Sequence, residues 1–235
     1  MHFVKQLDHQ LYTYRFVIFP ETIGSIAYLS KKYKLLKERL ICGFHLTCVG
    51  DDRGYSVIAS KYQNTLADQL LKSHAKEKDD FKFYNFQERR SDERQYGMAG
   101  IDLPICTFSR SKPGSYQEYH THLDNFSVVT EKALADSYDF LVNIIKTIEL
   151  GLYPRTTVMC EPMLGKRNLY PTTSTRDMST SKIEARLLLD VLAYCDGTNT
   201  PCEIAEFLNK PVRLIADNIQ QLISMKLCTR DAIQL

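Results

Sequence analysis

The sequence predicts an α/β protein with a mixed, mostly parallel sheet and a small helical unit at its C-terminal end. Three observations carry this. Aromatic and β-branched runs alternate with helix-periodic stretches from Leu11 to Leu150. The apolar run Leu40–Val49 ends abruptly at Gly50-Asp51-Asp52, placing polar chemistry past a strand end, where open α/β sheets gather it. Three short helical patterns then close the chain.

In order, Leu11–Pro20 (LYTYRFVIFP) has the β-branched and aromatic content of a buried strand, stopped by Pro20 and Glu21. Thr22–Leu40 places apolar residues at helical spacing with Lys and Arg opposite, predicting a helix. Leu40–Val49 is a second strand, a short strand follows from Tyr55, and Asn64–Lys78 is a helix. Phe81–Phe86 and Ile105–Arg110 are further strands, the first leading into Ser91-Asp92. Ser111–Glu118 contains Gly and Pro and reads as a loop, and Asp124–Leu150 as a long amphipathic helix capped at its start. The domains expected are an α/β domain over 1–150, a Pro-, Thr- and Ser-rich connector over 151–177, and a C-terminal domain over 178–235.

Within that last domain, Lys182–Cys195, Cys202–Leu208 and Pro211–Lys226 have helix-turn-helix spacing. Residues 176–235 hold seven Lys and Arg against eight Asp and Glu, a net charge of −1. A DNA reader needs a basic face to neutralise phosphates, and Pro211–Lys226 offers only Arg213 and Lys226 beside Asp217. Packing or protein contact is the expected use, and nucleic acid is not an expected partner.

Composition narrows the function further. A net charge of +2 over 235 residues gives no global attraction to nucleic acid or anionic membrane. No apolar run approaches the roughly 20 residues that span a bilayer. Met1–Gln10 carries Lys5, Asp8 and two histidines where an export signal needs an apolar core. Seven cysteines without a CxxC pair read as reduced thiols, so a cytoplasmic location is expected.

The chemistry-bearing text is Ser91-Asp92-Glu93-Arg94, then Gly100–Ile105, then Tyr119-His120-Thr121-His122-Leu123-Asp124. Zinc in a hydrolytic site takes imidazole nitrogen and carboxylate oxygen and keeps one position for water. Asp92 and His120 supply one donor of each kind, and at least one more is required. Together with VIFPETIGSIAYL (17–29), GFHLTCVGDD (43–52), SDERQYGMAGIDLPICTFSRS (91–111) and CEPMLGKRNLYPTTST (160–175), these segments resemble the bacterial aminopeptidase-like proteins associated with polysaccharide biosynthesis, which carry a C-terminal winged helix.

That resemblance implies a three-layer zinc-aminopeptidase-like fold, incomplete at the N-terminus, followed by a winged-helix domain. It implies zinc as cofactor, a peptide or amide as substrate, Asp92 and His120 as metal ligands, and Glu21 as either a ligand or the general base. The wider class shows two adjacent glutamates where this chain has Pro20-Glu21-Thr22, and an upstream histidine and bridging carboxylate precede the region matched by Met1 onward. Weak zinc binding and impaired activity of the chain by itself are therefore expected, and convergence of Glu21, Asp92 and His120 on one pocket. The alternative is a non-catalytic interaction module or one half of a split enzyme that a missing N-terminal half or protein partner completes. His2 and His9 read as exposed terminal histidines. His122 reads as a residue lining the substrate pocket, with a second nitrogen ligand as the alternative; Asp124 as the cap of the following helix, with orientation of His120 as the alternative. Asp51 sits at a strand end near them.

Overall fold

The structure, a computed structural model, describes residues 1–167 and 180–230, including all side chains except those of 180–183. The chain divides into two compact units, one essentially residues 14–144 and the other 2–13 with 145–234.

The first unit is built on a four-stranded mixed sheet. Its strands are β1 (Gly43–Leu46), β2 (Tyr55–Ile58), β3 (Phe81–Tyr84) and β4 (Ile105–Ser109), ordered β1-β4-β2-β3. β1 runs parallel to β4 and β2 parallel to β3, while β4 and β2 are antiparallel. The central strands β2 and β4 are buried along nearly their whole length, which explains their continuous apolar text.

Alternation along β4 assigns the helices to faces. Cys106 meets Asp68 on α3 (Leu66–Ala75), and Phe108 stacks on Phe140 of α5 (Glu131–Ile148) with ring centres 4.7 Å apart. On the opposite face, Ile105 packs into a cluster with Leu29 and Leu36 of α2 (Ile23–Arg39), Tyr96 of α4 (Glu93–Tyr96) and Leu103. A capping box between Thr65 and Asp68 starts α3.

Two expectations are corrected. Leu11–Pro20 forms no strand: Phe16 is 48 % and Ile18 91 % exposed, and only Phe19 reaches the α2 cluster. Among the described residues no strand pairs with this segment, and a strand is a property of the ladder as much as of the sequence. The long helix begins at Glu131, seven residues beyond Asp124, because Thr130 provides the start: its Oγ1 accepts from Ala133 N–H at 3.1 Å. Asp124 is exposed and lies in the preceding turns.

The second unit contains the short α1 (His2–Lys5), α6 (Thr180–Tyr194), α7 (Pro201–Phe207), α8 (Val212–Ser224) and a two-stranded ribbon of β5 (Arg155–Thr156) and β6 (Cys228–Thr229). Thr200 and Glu203 form a capping box with Pro201 at the first turn of α7. The stretch read as a connector thus includes β5, and its residues 168–177 lie outside the described residues. Along α8, Val212, Ile215, Ile219 and Leu222 are buried, a single apolar stripe. No helix of the described residues is long and apolar enough to cross a membrane, and all seven cysteines are free.

Candidate functional site

Past the C-terminal ends of β1 and β4 the chain brings two loops together. Asp51, buried, ties them: its carboxylate accepts from Ser111 N–H at 2.9 Å, Ser111 hydroxyl at 2.8 Å and Arg53 N–H at 3.0 Å. With all these bonds it serves as a latch between the strand ends. The loop after β4 continues through Tyr116, whose hydroxyl donates to Cys48 Sγ at 3.4 Å, and Glu118, paired with Arg53 at 2.7 Å.

Glu21 and Asp92 do come together. Ser91 hydroxyl donates to Glu21 Oε1 at 2.8 Å, and Asp92 Oδ1 accepts from Thr22 N–H at 2.7 Å and Ser25 hydroxyl at 2.9 Å. Asp92 is only 4 % exposed, whereas Glu21 faces solvent. Between them Thr22 has φ 64° and ψ −66°, and Ile23 N–H donates to Glu21 carbonyl at 2.7 Å. This is a γ-turn with positive φ, a strained conformation for a β-branched residue, costing on the order of 1–3 kcal/mol.

His120 does not join this pair as a donor. It is exposed, has φ 59°, and its ring stacks on Tyr119 with centres 4.0 Å apart. Burial raises the phenol pKa of Tyr119, and nearby Cys48 and Glu21 push the same way. His122 and Asp124 are exposed in the following turns, and neither has a side-chain bond to His120.

Among the described residues no three His, Cys, Asp or Glu side chains are gathered as a metal site. As they stand, Asp92 and His120 do not make a zinc site, since among the described residues no third donor is gathered with them and the exposed His120 ring stacks on Tyr119.

Sequence reasoning missed two groups. Glu93 is 1 % exposed; its Oε1 accepts from Arg90 N–H at 2.5 Å and Ser91 N–H at 3.1 Å, and its Oε2 lies 3.4 Å from His45 Nδ1. Arg94 Nη2 donates to Thr22 Oγ1 at 2.9 Å. Both lie inside the Ser91–Arg94 string already singled out, but adjacency to Asp92 in sequence does not reveal which way each side chain turns.

The α/β unit with its mixed sheet, followed by a helix-turn-helix with a β-ribbon, is similar to known proteins described as peptidase-like. Residues 2–151 match the family described as a domain of unknown function, DUF4910, and residues 151–230 the winged helix-turn-helix family. The chain belongs to the DUF4910 family. A Clostridium acetobutylicum protein, provisionally named a polysaccharide biosynthesis protein with an aminopeptidase-like domain, is 33% identical over 229 residues, 92% of this chain and 50% of that protein. A crystal structure of a protein from Clostridium acetobutylicum, provisionally described as a peptidase, matches with a TM-score of 0.73 at 30% identity, covering 89% of this chain and 46% of that one. The chain spans about half the length of these relatives.

Proposed function

We propose that this chain is part of an aminopeptidase-like hydrolase of peptide or amide bonds, with Glu21 as the candidate general base, and that it is catalytically incomplete by itself. The observation that carries this is the Glu21–Asp92 corner: two carboxylates from segments 70 residues apart, joined through Ser91 and Thr22 beyond the sheet. A solvent-facing carboxylate held at one oxygen by a hydroxyl is suited to take a proton from a water attacking a carbonyl.

Zinc dependence, and a three-layer zinc-aminopeptidase arrangement, belong in this proposal to the assembled enzyme. The resemblance assigns Asp92 and His120 to metal binding, and among the described residues no third donor is gathered beside them, so in this reading further groups complete the site. The apolar Phe16-Val17-Ile18 stretch, strand-like in sequence and exposed, is the face on which a segment carrying those groups would pair. A sugar-linked amide is a substrate of interest because the relative's name mentions polysaccharide biosynthesis.

Metal analysis of the purified chain after dialysis against a mild chelator, with aminoacyl-anilide hydrolysis assayed in parallel, tests this. Substoichiometric zinc and no turnover are expected. Stoichiometric zinc with turnover that disappears in Glu21→Gln would mean that this chain is a complete enzyme.

The second reading is an interaction module without catalysis. It is favoured by the C-terminal unit, whose net charge of −1 over 176–235 provides no basic face for nucleic acid.

A further inference from the structure

From the hydrogen bonds around Thr22 we infer that Asp92 is a positioning residue, and that Ser91, Asp92 and Arg94 form a clamp on the strained turn that presents Glu21. This rests on Glu21 as the reactive carboxylate of the site, but the clamp itself is measurable without any activity.

Helix α2 begins with its N-cap residue, Thr22, making no side-chain capping bond. The first amides of a helix need acceptors, and the N-terminal end attracts negative charge. Here the Ile23 and Gly24 amides go to the Glu21 and Pro20 carbonyls, and Asp92 holds the N-cap residue itself from 70 residues away: its Oδ1 accepts from Thr22 N–H at 2.7 Å and from Ser25 hydroxyl at 2.9 Å.

The neighbours of Asp92 complete the hold. Arg94 takes Thr22 Oγ1 at 2.9 Å, fixing the side chain of the residue at φ 64°. Ser91 takes Glu21 Oε1 at 2.8 Å, fixing the carboxylate one residue earlier. Glu93 turns the other way and braces the clamp loop, accepting from Arg90 and Ser91 N–H. Each residue of the Ser91–Arg94 string therefore has a structural task, and three of the four converge on Glu21-Thr22. A β-branched residue stays at such a φ only where its surroundings over-determine it. A metal at Asp92 Oδ1 would compete with the Thr22 amide and the Ser25 hydroxyl for that oxygen, whereas Oδ2 accepts from neither.

Asp92→Asn and Asp92→Ala separate positioning from ligation, because asparagine keeps the accepting oxygen and loses the anionic donor that metals need. Three readouts on the full chain are taken: hydrogen exchange of the Thr22 amide, carbodiimide labelling of Glu21 followed by mass spectrometry, and zinc uptake. In Asp92→Asn, exchange and labelling are expected within about threefold of the unsubstituted chain, with zinc uptake unchanged. In Asp92→Ala both rates are expected to rise at least tenfold. Ser91→Ala, which leaves the Asp92 bonds intact, should raise Glu21 labelling alone, and it keeps the test open if Asp92→Ala does not fold. Loss of zinc uptake in Asp92→Asn with normal exchange would make Asp92 a ligand and overturn the inference. So would Asn behaving like Ala in both rates, or Ser91→Ala leaving labelling unchanged. If Glu21→Gln proves irrelevant to hydrolysis by the assembled enzyme while these rates behave as expected, the base assignment fails and the clamp stands.

Discussion

His45 Nδ1 lies 3.4 Å from Glu93 Oε2 on the face of the sheet that carries α2 and α4, while the same ring nitrogen is 3.2 Å from Thr107 Oγ1. Burial pushes the Glu93 carboxyl pKa upward, but the His45 ring and the amides of Ser91 and Arg90 outweigh it and hold it at about 2, below the ordinary 4.5. A depressed carboxyl contributes stability that is fully present above its unfolded value and is lost as pH falls through its folded value. Urea denaturation across pH should therefore show stability falling between about pH 4.5 and 2, by on the order of 3 kcal/mol from this group. Glu93→Gln should remove much of that pH dependence and lower stability at neutral pH by about 2–3 kcal/mol. An unchanged acid limb in the variant would show that other carboxylates carry it.

Asp68 is the most heavily committed buried carboxylate on the opposite face. It accepts from Ser60 N–H at 2.8 Å and hydroxyl at 2.5 Å, Thr65 N–H at 2.9 Å and hydroxyl at 2.7 Å, and Cys106 Sγ at 3.0 Å. Burial acts to raise its pKa, and bonds from Cys106, Ser60 and Thr65 bring it below the ordinary value. Asp68→Asn turns a donor into this ring of donors and should cost about 2–4 kcal/mol, read as a lowered urea midpoint at pH 7. A change under about 0.5 kcal/mol would contradict the assigned bonds.

Thr22→Gly is expected to act against the usual cost of glycine. Relief of the positive-φ turn, about 1–3 kcal/mol, exceeds the chain-entropy cost of about 0.5–1 kcal/mol and the loss of one exposed bond from Arg94. The variant should equal or exceed the parent by up to about 1 kcal/mol in chemical denaturation. Destabilisation beyond about 1 kcal/mol would mean that the turn is relaxed as it stands.

For the C-terminal unit, titration of the full chain with duplex DNA at several salt concentrations should give weak binding with a shallow dependence on salt. A protein neutralising several phosphates loses affinity steeply as salt rises. Submicromolar binding at physiological salt with that steep slope would restore DNA reading as its use.

Local patterning made the helices legible. Thr22–Leu40 and Pro211–Lys226 lie within two residues of α2 and α8 at every end because a one-sided apolar stripe suffices to define them. Leu11–Pro20 failed for the converse reason: its residues suit a strand, but pairing depends on a partner backbone that no local pattern encodes. The site was half legible. Motif text drew attention to Glu21, Ser91 and Asp92, which do meet, but the outward stacking of His120 on Tyr119 depends on a left-handed backbone at a histidine, which the string Tyr-His-Thr does not disclose. Nor could spacing show that the Asp92 carboxylate is spent on an amide 70 residues earlier.

The β5–β6 ribbon bears on how the second unit can be handled as a separate object. Arg155 pairs with Thr229 and Thr156 with Cys228, while Thr156 N–H donates to Cys195 carbonyl at 2.7 Å. An expression boundary drawn just before α6 would therefore delete one strand of the ribbon and strip Cys195 of its amide partner. Because the ribbon sets residues 155–156 beside 228–229, a short peptide linker could join these two ends, with new termini opened in the tight turn at Asn209-Lys210. Such a circular permutant would keep α6, α7, α8 and both strands of the ribbon.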